Sequence, residues 1–292
     1  MPSELPPSHT ASIVLLVALF SVAGASAAWA PAAPSPDPQS VPQPASASVL
    51  SEHHTEALDS MSPQAQAEFL LERAINRYQG ANEQIIARAD GWRAHITMTE
   101  RLDSLFVTAL NSDDLGVRAA AVELDLAALD VKKAVATVDS LELDARDGAH
   151  GARANALWRV GLLGNRGVQP ERAFQILLSS VNDENVNVRY WAVEGLAYLG
   201  TDETIAPLLT VLHDDPSPMI RERAACSLAQ SGMLSAKQRM TAIPRLLDFA
   251  DEHTLDPQTR AWIFQALRDI TGQTKPRDAA AWRNWYLSRR SE

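Results

Sequence analysis

Four stretches of the chain lie under one another with little adjustment: ARANALWRVGLLG from Ala152, VRYWAVEGLAYLG from Val188, IRERAACSLAQSG from Ile220 and TRAWIFQALRDITG from Thr259. Each has arginine at its second position (Arg153, Arg189, Arg221, Arg260) and an aliphatic residue seven further on (Val160, Leu196, Leu228, Leu267). A looser fifth copy starts at Val117-Arg118, and the five arginines stand 35, 36, 32 and 39 residues apart. That period belongs to a unit of two helices, which buries its apolar face only by stacking on its neighbours. From Ser62 onward the apolar spacing is helical and Gly and Pro recur at short intervals, so the expectation is many helices with tight links.

The partner helices are legible too. PERAFQILLSSV (Pro170 to Val181), DETIAPLLTVLH (Asp202 to His213) and KQRMTAIPRLLDFA (Lys237 to Ala250) each precede an arginine helix. Pro207 and Pro244 stand at matching places before a Leu-Leu pair, where proline is expected to kink the helix. Asp183, Asp214 and Asp215 fall in the turns before the arginine helices, each placed to cap a helix start and to sit near a repeat arginine.

This pattern resembles the HEAT-repeat family in its short bacterial form, over about residues 110 to 285. The resemblance implies an all-α, right-handed α-solenoid of about five HEAT-like helix pairs. The stretch Ala266 to Tyr286 looks like the closing segment of such an array, with Trp282 and Trp285 three apart on one helix face. Residues 62–110 are helical but match the repeat poorly, and read as an N-terminal helical cap; residues 111–292 read as the array with its C-terminal cap. Ser62-Pro63 is a good N-cap followed by proline at the first helical position.

Ahead of the cap stand two further segments. Residues 11–30 hold a short apolar run and then small residues, with Ala25-Ser26-Ala27 fitting a signal-peptidase site. The leading residues carry no Lys or Arg, so residues 1–30 read either as a cleaved export signal or as an uncleaved membrane anchor. A cleaved signal puts the rest of the chain outside the cytoplasm, periplasmic or extracellular; the alternative is a chain anchored in the membrane through residues 11–30, whose orientation the missing Lys and Arg leave open. Residues 31–61 read as a disordered Pro/Ala/Ser-rich linker, extended in polyproline II where its six prolines cluster. A single cysteine, Cys226, makes no internal disulfide.

The formal charge of −10 argues against nucleic acid as a partner, which would call for a basic face. Contact with a membrane is expected only through the N-terminal segment, if uncleaved. Cys226 follows Arg221 and Arg223, and a thiol among guanidiniums is a candidate nucleophile. Cys226 aligns, however, with Trp158, Glu194 and Gln265, the variable column of the repeat, and Arg221 belongs to the repeat itself. No catalytic constellation emerges: the seven histidines do not recur with the repeat, no His-Glu dipeptide exists, and no phosphate loop or Gly-x-Ser-x-Gly motif is present. No cofactor or metal is expected. A lyase or metal-dependent hydrolase built on the repeat, and a purely structural spacer, stay open as other readings.

At about 100° per residue, positions one, two, five and nine after the repeat arginine fall opposite the apolar stripe. In HEAT-like solenoids the second helices line the concave face, so the resemblance implies that these residues look into a groove. They are Asn155, Trp158 and Leu162; Tyr190, Trp191, Glu194 and Tyr198; Glu222, Arg223, Cys226 and Gln230; and Trp262, Gln265 and Asp269. Large aromatics in such a column are what an interface needs, and the partner expected is another protein or a peptide.

Overall fold

In the computed structural model the described residues are 49–50 and 52–290. The export segment and most of the spacer lie outside them. Among the described residues fifteen α-helices follow: α1 (Glu52–Asp59), α2 (Pro63–Ile75), α3 (Ala81–Trp92), α4 (Glu100–Leu110), α5 (Leu115–Ala128), α6 (Val135–Asp147), α7 (His150–Asn165) and α8 (Pro170–Ser180). The rest are α9 (Val186–Leu199), α10 (Ile205–Asp214), α11 (Pro218–Ala229), α12 (Ala236–Met240), α13 (Ile243–Asp251), α14 (Pro257–Thr271) and α15 (Ala279–Arg290). No strand occurs among the described residues, and the architecture is an all-α solenoid.

The helices start and stop where the local chemistry directs. Ser62 accepts a hydrogen bond from the Ala65 amide at 3.3 Å, with Pro63 at the first helical position of α2. Asn185 caps α9 and Asp256 caps α14, each accepting from two backbone amides. Pro207 and Pro244 do not kink the helices that carry them. A 3-10 turn at Asp202–Thr204 precedes α10, and α12 breaks off before α13, so each proline stands within the first turn of a new segment. There its missing N–H is one of those a helix start leaves unpaired anyway. Asp214, expected as a cap, is instead the last residue of α10 and bonds to the His213 ring.

Ordered structure begins ahead of Ser62. Within the stretch expected to be linker, α1 forms, Leu58 is fully buried, and the Leu50 amide donates to the Gln79 carbonyl at 3.0 Å. The prolines of the spacer end at Pro44, and the helix-competent sequence after it packs on the cap. Helices α1 to α4 and one face of α5 enclose a core of Leu58, Leu70, Leu71, Ile85, Trp92 and Leu102.

From α6 onward the chain forms two layers. The inner layer is α7, α9, α11 and α14, each packed on the next; the outer helices α6, α8, α10 and α13 barely touch one another. That difference sets the curvature, with the inner layer on the concave side. The closest approach is between α7 and α9. A Cβ at Gly161 would lie 2.5 Å from the Gly195 carbonyl oxygen, so only glycine allows these two backbones to meet.

The repeat arginines lock the layers into register. Three of them donate to carbonyls just before their own helices: Arg153 to Ala145 in the last turn of α6, Arg189 to Asp183 and Glu184, Arg221 to Asp215. These three also pair with the aspartate of the next turn: Arg153 with Asp183, Arg189 with Asp215 (2.8 and 3.2 Å), Arg221 with Asp256 (3.2 Å). At the far end Trp282 is fully buried, its Nε1 donates to the Pro276 carbonyl at 3.0 Å, and Trp285 meets it edge-on. This closes the array with the aromatic pair expected of a terminal cap.

Candidate interaction surface

The inner layer brings the aromatic members of the column together. Trp158 on α7 meets Trp191 (centroids 5.7 Å apart) and Tyr198 (4.8 Å) of α9 edge-on, and Tyr190 packs edge-on against Trp191 (5.5 Å). Such T-shaped pairs stabilise beyond the area they bury, by about 0.5–1.5 kcal/mol each. The groove expected over this column is not open along its length, because α5 lies in it.

Helix α5 does not stack on α7 as α7 stacks on α9. It lies against α7 and reaches the loop after α11 through Arg118. Arg118, the first repeat arginine, reaches no aspartate of the following turn. Its Nη1 donates to the carbonyls of Gln230 (2.7 Å) and Gly232 (2.6 Å), and its Nε to the Ser112 carbonyl. Arg166, just past the end of α7, donates to the Ala119 carbonyl and faces Glu123 at 3.4 Å. Trp158 Nε1 donates to Asp125 at 3.1 Å. Helix α5 is therefore covered on both sides: Val117, Ala120, Ala121, Leu124 and Ala127 enter the N-terminal core, and Val122 and Leu126 enter the core of the array. A helix with apolar residues on opposite sides belongs in an interior.

This placement corrects several expectations. Tyr198 is 5% exposed and Glu194 6% exposed, so neither faces solvent. Glu194 pairs with Arg223 of the next inner helix. The carbonyl of Gln230 is held by Arg118 and Arg239 while its side chain stays exposed. Leu162 is fully buried. Cys226 is half-buried, its Sγ 3.9 Å from Arg223. Sequence periodicity put all of these on an open face because a helix wheel registers one neighbour layer, and here a second helix covers the other side.

The seam under α5 concentrates buried charge. Glu123 is held by Lys133 at 2.8 Å and by Arg166. Asp125 accepts from a neutral indole, and burial raises its pKa to about 6, against the opposing pull of Trp158 and Arg159. Burial also lowers the pKa of Arg118, takes that of Arg239 to about 10, and pushes the Tyr198 phenol up. Arg239 spends its guanidinium on the carbonyls of Ser227, Gln230, Ser231 and Leu234, which fixes the loop that Arg118 grips.

What stays accessible is the N-terminal half of the inner face. Asn155, Glu222 and Gln265 are exposed there, and Tyr190, Trp191 and Trp262 are half-buried. Asp269 is half-buried and accepts from Gln265 at 2.7 Å. Two apolar residues that the column omitted join them: Val186 is 41% exposed and Met219 49%. Val186 stands one helical turn before Tyr190, and Met219 one turn before Glu222 and Arg223, so both share the face. They precede the aligned stretches, which is why the alignment passed over them. The accessible strip is thus apolar and aromatic with a few neutral or acidic neighbours.

Among the described residues no group of three or more His, Cys, Asp or Glu side chains is placed to hold a metal, and no helix is long and apolar enough to cross a membrane. No curated protein matches the chain. The family model for HEAT repeats matches it twice, over residues 140–229 and 173–268. HEAT repeats are commonly protein-interaction scaffolds and typically non-catalytic. The two-layer array and the arginine–aspartate register agree with this match: residues 140–268 are HEAT repeats.

Proposed function

We propose that this protein is an exported, non-enzymatic scaffold of the cell envelope, and that it holds a protein or peptide partner on the open half of its inner face. The observation that carries this reading is the strip of Val186, Tyr190, Trp191, Met219 and Trp262, which leaves large apolar groups accessible on a rigid array. Contiguous exposed apolar surface on a soluble fold marks an interaction site. Aromatic anchors of this kind dominate interface energetics. The ion pair of Glu194 with Arg223 and the edge-on contacts of Trp158, Trp191 and Tyr190 hold the strip in one shape, so little order is lost on binding.

The test is site-specific photo-cross-linking in cells that make the full chain. A cross-linking residue is placed at Tyr190 or Met219, and as a control at Gln175, exposed on outer helix α8. The expected result is a discrete adduct from the two inner positions, lost when Trp262→Ser is added, and none from Gln175. Adducts of equal yield from all three positions, or none from the inner pair, would remove the inner face as the binding surface. Fractionation of the same cells tests the envelope location: recovery with cytosolic markers would refute it.

A further inference from the structure

The outer layer is stitched by charged bridges between neighbouring elements at every junction but one. Arg172 of α8 pairs with Asp139 and Glu142 of α6. His213 of α10 bonds to Glu252 after α13 at 2.6 Å. Arg283 of α15 pairs with Asp248 and Asp251 of α13. Between α8 and α10 no such bridge exists among the described residues, and the helices part to leave an open cleft of about 630 Å³. A volume of that size falls within the range of ligand and peptide pockets, about 300–1,000 Å³.

The walls of the cleft are apolar: Leu178 and Val181 on one side, Ala206, Pro207 and Val211 on the other. Its base is the Arg189–Asp215 ion pair, in which both charges are satisfied. The rim is acidic: Glu184 carries the unpaired charge, and Asp214 bonds to the His213 ring. Glu184 is exposed and makes no ion pair among the described residues, and the Asp214 side chain is 65% exposed. Small Ala206 and ring-closed Pro207 face Leu178 across the gap, so the void arises from the residues themselves.

We propose that this cleft is a second docking site, separate from the inner face, and that its occupant is a short segment of a partner protein carrying aliphatic side chains next to Lys or Arg. The aliphatic groups fill the space between Leu178 and Pro207, and the basic groups meet Glu184 and Asp214. Apolar walls with an acidic rim select that chemistry and reject an acidic segment, because like charges at the rim repel.

The test uses the full chain and a fluorescent octapeptide holding two leucines followed by two arginines between serines. Two control peptides replace the arginines by glutamates or the leucines by serines. Anisotropy titration is expected to show saturable binding of the first peptide alone, weakening as salt rises. Ala206→Trp and Thr210→Trp place bulk in the cleft from exposed positions, so folding is preserved, as circular dichroism and thermal melting check. Each is expected to weaken binding by about tenfold or more, and Glu184→Lys by about tenfold. Trp262→Ser, on the inner face, leaves it unchanged, which separates this site from the one proposed above. Binding that survives both tryptophan variants, equal binding of the glutamate peptide, or no binding up to about 1 mM would overturn the proposal. So would self-association of the chain abolished by Ala206→Trp, which would make a second copy the occupant.

Discussion

Asp125 offers the sharpest test of how α5 is held. The substitution is Asp125→Asn, which keeps the shape and the acceptor for Trp158 Nε1 while removing the charge. In the folded chain the carboxyl pKa rises from 3.8 to about 6 because burial disfavours the charged form. A rise of that size corresponds to about 3 kcal/mol of penalty at pH 7.5. The sign follows from linkage: a carboxyl whose folded pKa is raised contributes stability that is full below about 3.8 and is lost as pH rises through about 6. Of the penalty, about 1.4 kcal/mol is relieved between pH 7.5 and pH 5. The new carboxamide N–H groups must be accommodated, at about 1–2 kcal/mol. The variant is therefore expected to be more stable than the parent by about 1–2 kcal/mol at pH 7.5, a rise of about 2–8 °C in melting temperature for a unit of this size. The assay is differential scanning fluorimetry of parent and variant from pH 5 to pH 7.5. His213 also shifts on folding. Burial pulls its pKa down, but the hydrogen bonds to Glu252 and Asp214 outweigh this and raise it. Its contribution is common to both proteins and cancels in the difference. The advantage of the variant should shrink as pH falls. A difference that does not change with pH, or a variant less stable at every pH, would refute the reasoning.

Three further substitutions probe the rest of the architecture. Gly161→Val forces apart the backbones of α7 and α9, since a Cβ there would lie 2.5 Å from the Gly195 carbonyl; the expected loss is about 3 kcal/mol or more by denaturant melting. Arg118→Ala removes the donor that the carbonyls of Gln230 and Gly232 share, and hydrogen exchange should quicken in α5 while α14 stays protected. Trp282→Ala empties the C-terminal cap and should cost about 3–5 kcal/mol, with fraying of α15 seen first by limited proteolysis.

The period of the array was legible because each unit repeats the same local chemistry. An arginine in the first turn of a helix, an aspartate in the next turn and small residues at the interhelix contact are all readable within one repeat. The pairs Arg153–Asp183, Arg189–Asp215 and Arg221–Asp256 came out as that chemistry requires. The docking of α5 was not legible. Arg118 looks like the other repeat arginines, but its acceptors are backbone carbonyls 112 and 114 residues away, and a carbonyl leaves no mark in a sequence. Glu123 and Asp125 carry no mark of burial in the sequence, and Glu194 falls in the column expected to be open, because charge is read as solvation unless the partner is in view. The partners (Lys133, Trp158 and Arg223) come from other elements. The cleft between α8 and α10 escaped for a related reason: it is a space, and periodicity describes what fills one.

A solenoid joined only to its neighbours behaves mechanically as a spring, extending a little at every junction when pulled at its ends. Arg118 turns this one into a spring with a clasp. It ties α5 to the loop after α11, so a tensile load along the array is shared between that bond and the coils of α7 and α9. While the clasp holds, the middle coils carry only part of the strain, and their groove is held closer to its resting width. When it opens, the whole segment between Arg118 and Gly232 becomes compliant in a single step rather than repeat by repeat.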